Sequence, residues 1–141
     1  MKIKKISQTE LEEVLYKHTK WLDAEAGGVR ADLQYTDLRG YDLRGADLMK
    51  ADLQGSNLFG ANLHGANLQH AKLLYANLRC GDLWGANLRN ADLQGANLQH
   101  ANLLYANLRN ADLGEADLRN ADLQGANLQY AKTDDTTILK E

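Results

Sequence analysis

Leucine recurs at every fifth position of this chain without a gap, at Leu33, Leu38, Leu43, Leu48, Leu53, Leu58, Leu63, Leu68, Leu73, Leu78, Leu83, Leu88, Leu93, Leu98, Leu103, Leu108, Leu113, Leu118, Leu123 and Leu128. A period of five suits neither common amphipathic element. On a 3.6-residue helix successive leucines advance by about 140° and spiral around the cylinder, and in a straight strand they alternate between faces. All of them share one environment only if the chain turns through about a right angle per pentapeptide, so that four short extended segments close a square coil. The leucines then form the core by filling the bore.

The other places of the unit agree with this reading. Two residues before each leucine the chain nearly always has alanine, and residues two apart in an extended segment face the same side, so alanine also points inward. Between them stands Asp or Asn, as in Ala31-Asp32-Leu33 and Ala101-Asn102-Leu103, and the two places after leucine take Gln, Arg, His, Tyr, Asn or Gly. These three face solvent. Glycine at the last place, as at Gly40, Gly45, Gly55, Gly60 and Gly65, supplies the positive φ that a tight turn needs, and Asn90, Asn110 and Asn120 tolerate it, which puts the corners there.

These residues spell A(D/N)LXX, and over Ala31 to about Lys132 the chain resembles the pentapeptide repeat family. The resemblance implies an all-β solenoid, a right-handed quadrilateral β-helix, here of about five coils. At a strand spacing of about 4.8 Å such a rod is about 24 Å long. Thr36, Tyr41, Ser56 and Gly81 depart from the inward alanine, Lys72 and Lys132 from Asp or Asn, and Tyr41 is too large for an inner corner. Some members of the family mimic duplex DNA and occupy the DNA groove of type II topoisomerases such as gyrase. That is the alternative to a general protein-binding scaffold.

The expected organisation is a segment 1–30 carrying a capping helix over about 8–26, a β-helix over 31–132 and a tail over 133–141. Leu11, Val14, Leu15, His18, Trp21 and Leu22 recur at helical spacing along one face, and Leu11, Leu15, Trp21 and Leu22 are the expected cap contacts over the first coil. Thr9 with Glu12 matches a capping box, Ser7 with Glu10 gives an alternative register, and Gly27-Gly28 stops the helix. At the other end only Ile138 and Leu139 are available to cover the last coil.

Composition narrows the function. The net charge is −3, with no long apolar run or signal-peptide pattern, so a soluble cytoplasmic protein without membrane attachment is expected. The lone Cys80 excludes an intrachain disulfide and suits a reducing compartment. No cofactor or metal site is expected. His70 and His100 are related by a thirty-residue duplication, one and a half coils, and so lie on opposite faces. The aspartates stand as regular outward groups with no pocket to desolvate a pair, so the chain reads as no enzyme and as having no small-molecule substrate.

Function therefore rests on columns of residues spaced by twenty. Asp32, Asp52, Lys72, Asp92 and Asp112, with Glu115 nearby, form the most acidic line, and Arg39, Phe59, Arg79, Gln99 and Arg119 form the next. Residues 31–130 carry eleven acidic and eight basic side chains, too mixed for a phosphate mimic and without the basic patch of a nucleic-acid binder. The candidate partner surface is the column Arg44, His64, Trp84, Leu104 and Gln124, where Trp84 and Leu104 fall on adjacent coils with Tyr105 beside them. Leu74 with Tyr75 and Tyr35 forms a weaker cluster. The expected partner is a protein of unknown identity, and the expected state is a monomer or a weak end-to-end dimer.

Overall fold

A turn after every fifth residue leaves room for only one bridge per segment, and the computed structural model, which describes residues 2–137, shows that pattern. From Asp32 to Lys132 the chain pairs with itself in parallel at an offset of twenty residues, Asp32 opposite Asp52, Asp37 opposite Asn57, Asp42 opposite Asn62, Asp47 opposite Asn67, and onward to Asp112 opposite Lys132. Each coil thus has four sides, named here first to fourth after the columns that begin at Asp32, Asp37, Asp42 and Asp47. A typical bridge has Leu33 N–H donating to the Asp52 carbonyl at 2.7 Å and Asp52 N–H donating to the Ala31 carbonyl at 3.0 Å.

The corners explain the repeat. Ala46 N–H closes on the Leu43 carbonyl at 3.1 Å, with Gly45 at φ +62°, the turn geometry that demands a left-handed third residue. Glycine and asparagine are not alone there: Tyr35, Lys50, His70, Tyr75, Cys80, His100, Tyr105, Glu115 and Tyr130 also have positive φ. Ladder bonds to the flanking coils hold each corner, so the chain tolerates a conformation that an isolated turn would reserve for glycine. Inside every corner from Asp32 to Asn127 except the one at Lys72, an Asp or Asn Oδ1 accepts the N–H two residues on, from Gln34 on Asp32 at 3.2 Å to Gln129 on Asn127 at 3.0 Å. This Asx bond needs an oxygen and no charge, which is why acid and amide alternate freely at that place. Lys72 lacks the acceptor.

The bore holds the leucines and alanines. Leu33 through Leu118 are buried at every fifth position, whereas Leu123 is half-buried and Leu128 is 36% exposed. The last two therefore depart from the expected core. Leu33 through Leu108 are each followed by a described coil segment twenty residues on, from Leu53 to Leu128, whereas among the described residues no such segment follows Leu123 and Leu128. Ile138 and Leu139, the expected cover, lie outside the described residues. The lower edge does receive a polar substitute for a next coil: Glu115 N–H donates to the Asp134 side chain at 3.2 Å and the Thr137 hydroxyl to the Leu113 carbonyl at 2.8 Å.

The upper end carries two elements. Strand β1, Lys4–Lys5, runs parallel to β2, Thr36–Asp37, with Lys4 opposite Thr36, a pairing the sequence pattern did not signal. Helix α1, Gln8–Leu22, starts at Ser7, whose hydroxyl accepts from Glu10 N–H at 3.1 Å while Ser7 N–H reaches the Glu10 carboxylate at 2.7 Å. The capping box thus forms in the Ser7 register and not at Thr9 and Glu12. The helix also stops short of Ala26. Ala24 turns left-handed at φ 57°, Glu25 N–H bonds the Lys20 carbonyl at 2.8 Å, and a side chain at Gly28 would overlap the Trp21 backbone, so the chain must reverse before the glycine pair.

Leu11 and His18 are the helix residues buried against the first coil, with Val14, Leu15, Trp21 and Leu22 half-buried beside them. His18 is fully enclosed. Its Nδ1 accepts Ala31 N–H at 2.9 Å and its Nε2 donates to the Met49 carbonyl at 3.0 Å. Lower in the rod the equivalent groups are satisfied by main chain, Ala51 N–H by the Leu48 carbonyl and the Gln69 carbonyl by Lys50 N–H. One imidazole therefore replaces two backbone groups of an absent preceding coil. Tyr41, too large for the bore, is half-buried with its hydroxyl donating to the Ile6 carbonyl at 2.6 Å, so the odd residue of the repeat joins the end structure instead.

Candidate interaction surface

The third side brings the candidate residues together. The His64 and Trp84 rings stack with centroids 4.6 Å apart and planes 12° from parallel, and Tyr105 meets Trp84 edge-on at 5.8 Å. Coil spacing dictates this, since equivalent side chains on successive turns stand about 4.8 Å apart, close to ring-stacking distance. Trp84 remains 39% exposed and Tyr105 59% exposed, while Leu104 is half-buried between coils. His64 also borders a shallow depression of about 600 Å³ lined by Asp42, Arg44, Gly45 and Gly65, and its Nδ1 lies 3.9 Å from Asp82. The result is a continuous aromatic strip with a smooth glycine margin.

In the weaker cluster Tyr35 lies over Gly55 and Tyr75 over Gly95, so each ring covers the glycine one coil below. Tyr105 over Gly125 repeats the arrangement. A ring laid on a glycine shields backbone that no side chain covers, as in sheets where aromatics rescue glycines. The signal was present in the sequence as Tyr followed by Gly twenty residues on.

Outward charges are largely engaged in local bonds. On the acidic first side, Asp52 is buried and lies 3.6 Å from Arg30, and Asp32, Asp92 and Asp112 each accept an Asx bond. Elsewhere Asp37, Asp42 and Asp117 form paired bonds to Arg39, Arg44 and Arg119 two residues on. The arginine hydrogen bonds hold all three carboxyls below the usual carboxylate range. Arg79, Arg89 and Arg109 follow asparagine instead and have no carboxylate partner among the described residues. His70 meets Asn90 across one coil at 3.4 Å and lies on the fourth side, whereas His100 belongs to the second. Among the described residues no three potential metal ligands cluster, and no helix is long and apolar enough to cross a membrane.

The pentapeptide repeats family model matches residues 29–65, 61–79, 76–104 and 101–132, in eight copies. The chain belongs to the pentapeptide repeat family. Its members form right-handed quadrilateral β-helices and are generally non-catalytic scaffolds. Among solved structures, this pentapeptide repeat protein is similar to Rfr23 from the cyanobacterium Cyanothece 51142, at 31% identity over 91% of this chain and 98% of that one, with a TM-score of 0.79. A pentapeptide repeat protein from the Arabidopsis thaliana thylakoid lumen shares 38% identity over 68% of this chain and 63% of its own, with a TM-score of 0.54. QnrB1, a plasmid-mediated fluoroquinolone resistance protein, shares the fold at 21% identity and a TM-score of 0.50, over 76% of this chain and 64% of its own. Comparison with curated proteins gives no match.

Proposed function

We infer that this protein is a non-catalytic cytoplasmic scaffold, a rod of five coils lidded by α1, which needs no cofactor and engages a protein partner through the strip of His64, Trp84, Leu104 and Tyr105. The observation that carries this reading is the contiguity of the strip: His64, Trp84 and Tyr105, on successive coils, form one exposed aromatic stack. Apolar anchors that shed water supply much of an interface's energy, with key truncations worth at least about 2 kcal/mol, while exposed ion pairs contribute about 0 to 1. The third side supplies such anchors. The aspartates support no acid–base chemistry, because among the described residues the one buried carboxylate, Asp52, faces Arg30 and the others lie outward.

A phosphate-array mimic would need a dense row of free carboxylates. Here Asp37, Asp42, Asp52 and Asp117 are each paired with an arginine, which supports the scaffold reading over topoisomerase binding. The test is affinity capture with wild-type protein beside a Trp84→Ala/Leu104→Ala variant. Specific loss of one bound protein with the variant supports the strip, and unchanged recovery of every bound protein refutes it. A gyrase supercoiling assay separates the alternative, since the scaffold reading expects no inhibition.

A further inference from the structure

The Asx place leaves the choice of acid or amide open. Arg44 N–H reaches Asp42 at 3.2 Å and Arg109 N–H reaches Asn107 at 3.1 Å, the same corner bond from either residue. That choice decides the state of an arginine two residues on. Arg39, Arg44 and Arg119 follow aspartate and are clamped by it, whereas Arg79, Arg89 and Arg109 follow asparagine and remain unneutralised. Neutralisation was available at each of these positions by one Asn-to-Asp exchange that keeps the corner intact.

Arg89 and Arg109 occupy the fourth side on successive coils, so their backbones stand about 4.8 Å apart and two like charges share one column, an arrangement that disfavours the free rod. Arg109 is held over the Tyr130 ring at 5.7 Å, and because its Nε–H is buried, an outside partner would meet its terminal Nη groups. Carboxamides of Asn90 and Asn110 flank the pair, and Asp47, two coils above Arg89, is the only acid of that side. A local rule broken without compensation inside the molecule points to a compensation outside it.

We propose that Arg89 and Arg109, framed by these amides, form a docking site for an acidic protein segment whose carboxylates they take as bidentate partners. Nucleic acid fits the site less well. Two arginines neutralise too few phosphates for duplex binding, and a single strand needs open aromatic platforms, while Tyr130 already lies under Arg109. The site is on a different side from the aromatic strip and stands whether or not the strip binds.

The probe is a fluorescein-labelled peptide of about eight glutamates alternating with glycine, which places all carboxylates on one side when extended. Binding is read by anisotropy at low salt. Asn87→Asp/Asn107→Asp keeps both corner bonds and gives each arginine an internal carboxylate, and it should weaken binding at least about tenfold. Lys72→Gln/Arg79→Gln changes net charge equally on other sides and should weaken it less than about threefold. Melting curves verify that both variants fold. Equal losses in the two variants, no binding by the wild type, or tighter binding of a single-stranded oligonucleotide of the same charge would each overturn the proposal.

Discussion

Removing the His18 imidazole tests how the upper end of the rod is closed. In His18→Ala the Ala31 N–H and the Met49 carbonyl, now bonded at 2.9 and 3.0 Å inside a fully buried site, lose their partners together. Each unsatisfied buried group costs about 1 to 3 kcal/mol, and the lost ring leaves a cavity, so the end should be weakened by about 3 to 5 kcal/mol. Because stability in repeat rods is a nearest-neighbour property, the loss is read best by hydrogen exchange: amides of the first coil and of α1 should exchange faster, while those around Leu83 to Leu103 change little.

Acid breaks one of the two bonds without mutation, because a protonated Nδ1 can no longer accept Ala31 N–H while Nε2–H still donates to the Met49 carbonyl. Burial lowers the His18 pKa from its ordinary 6.5, against smaller raising effects from the Met49 carbonyl bond and Asp47 and a lowering effect from Arg30. A depressed histidine pKa means that the unfolded end binds the proton more readily. The stabilising contribution is therefore complete above about pH 6.5 and is lost as pH falls from there through the folded-state value. An NMR titration placing His18 above 6.5, or first-coil exchange rates unchanged in His18→Ala, would refute the reasoning.

Three further substitutions address the repeat itself. Gly95→Ala and Gly85→Ala both force alanine to positive φ, but only at Gly95 would the new methyl overlap a ring, that of Tyr75, so Gly95→Ala should be the more destabilising by about 1 kcal/mol. Equal denaturation midpoints would show that the ring contributes nothing to covering the glycine. Lys72→Asn supplies the missing corner acceptor to Leu74 N–H and should stabilise by about 0.5 to 1 kcal/mol, whereas a lower midpoint would mean that the Lys72 charge beside Asp52 and Asp92 outweighs one Asx bond. Ser56→Ala removes a buried hydroxyl without a hydrogen-bond partner and restores the usual inward residue, for a gain of about 1 kcal/mol in urea unfolding. A loss there would reveal a bound water at Ser56 Oγ.

The repeat was legible because its period is incompatible with any straight element, and so the spacing of the leucines alone forced a turn every five residues. The column arithmetic follows, and it places His64, Trp84 and Tyr105 together. What could not be read was the role of the Asp/Asn place. Its alternation resembles surface noise until the corner geometry shows that an oxygen is required and a charge is not. The ends were also opaque: nothing periodic marks Lys4–Lys5 as a strand, and the two bonds of His18 depend on a coil that is absent. Periodicity specifies the interior of a solenoid, while its termini are solved by individual residues.

The most direct test of the scaffold reading is quantitative capture of one partner by wild type, Trp84→Ala, and Asp92→Asn/Asp112→Asn. Trp84 lies outside the bore, so its loss should leave the rod folded, at a cost of about 0.5 to 1.5 kcal/mol for each lost ring contact with His64 and Tyr105, yet weaken capture at least roughly thirtyfold if it is an interface anchor. Neutralising the two aspartates should change capture by less than about fivefold. The opposite pattern, binding abolished by the charge changes and indifferent to Trp84, would contradict the account and make acidic mimicry the better explanation of the rod.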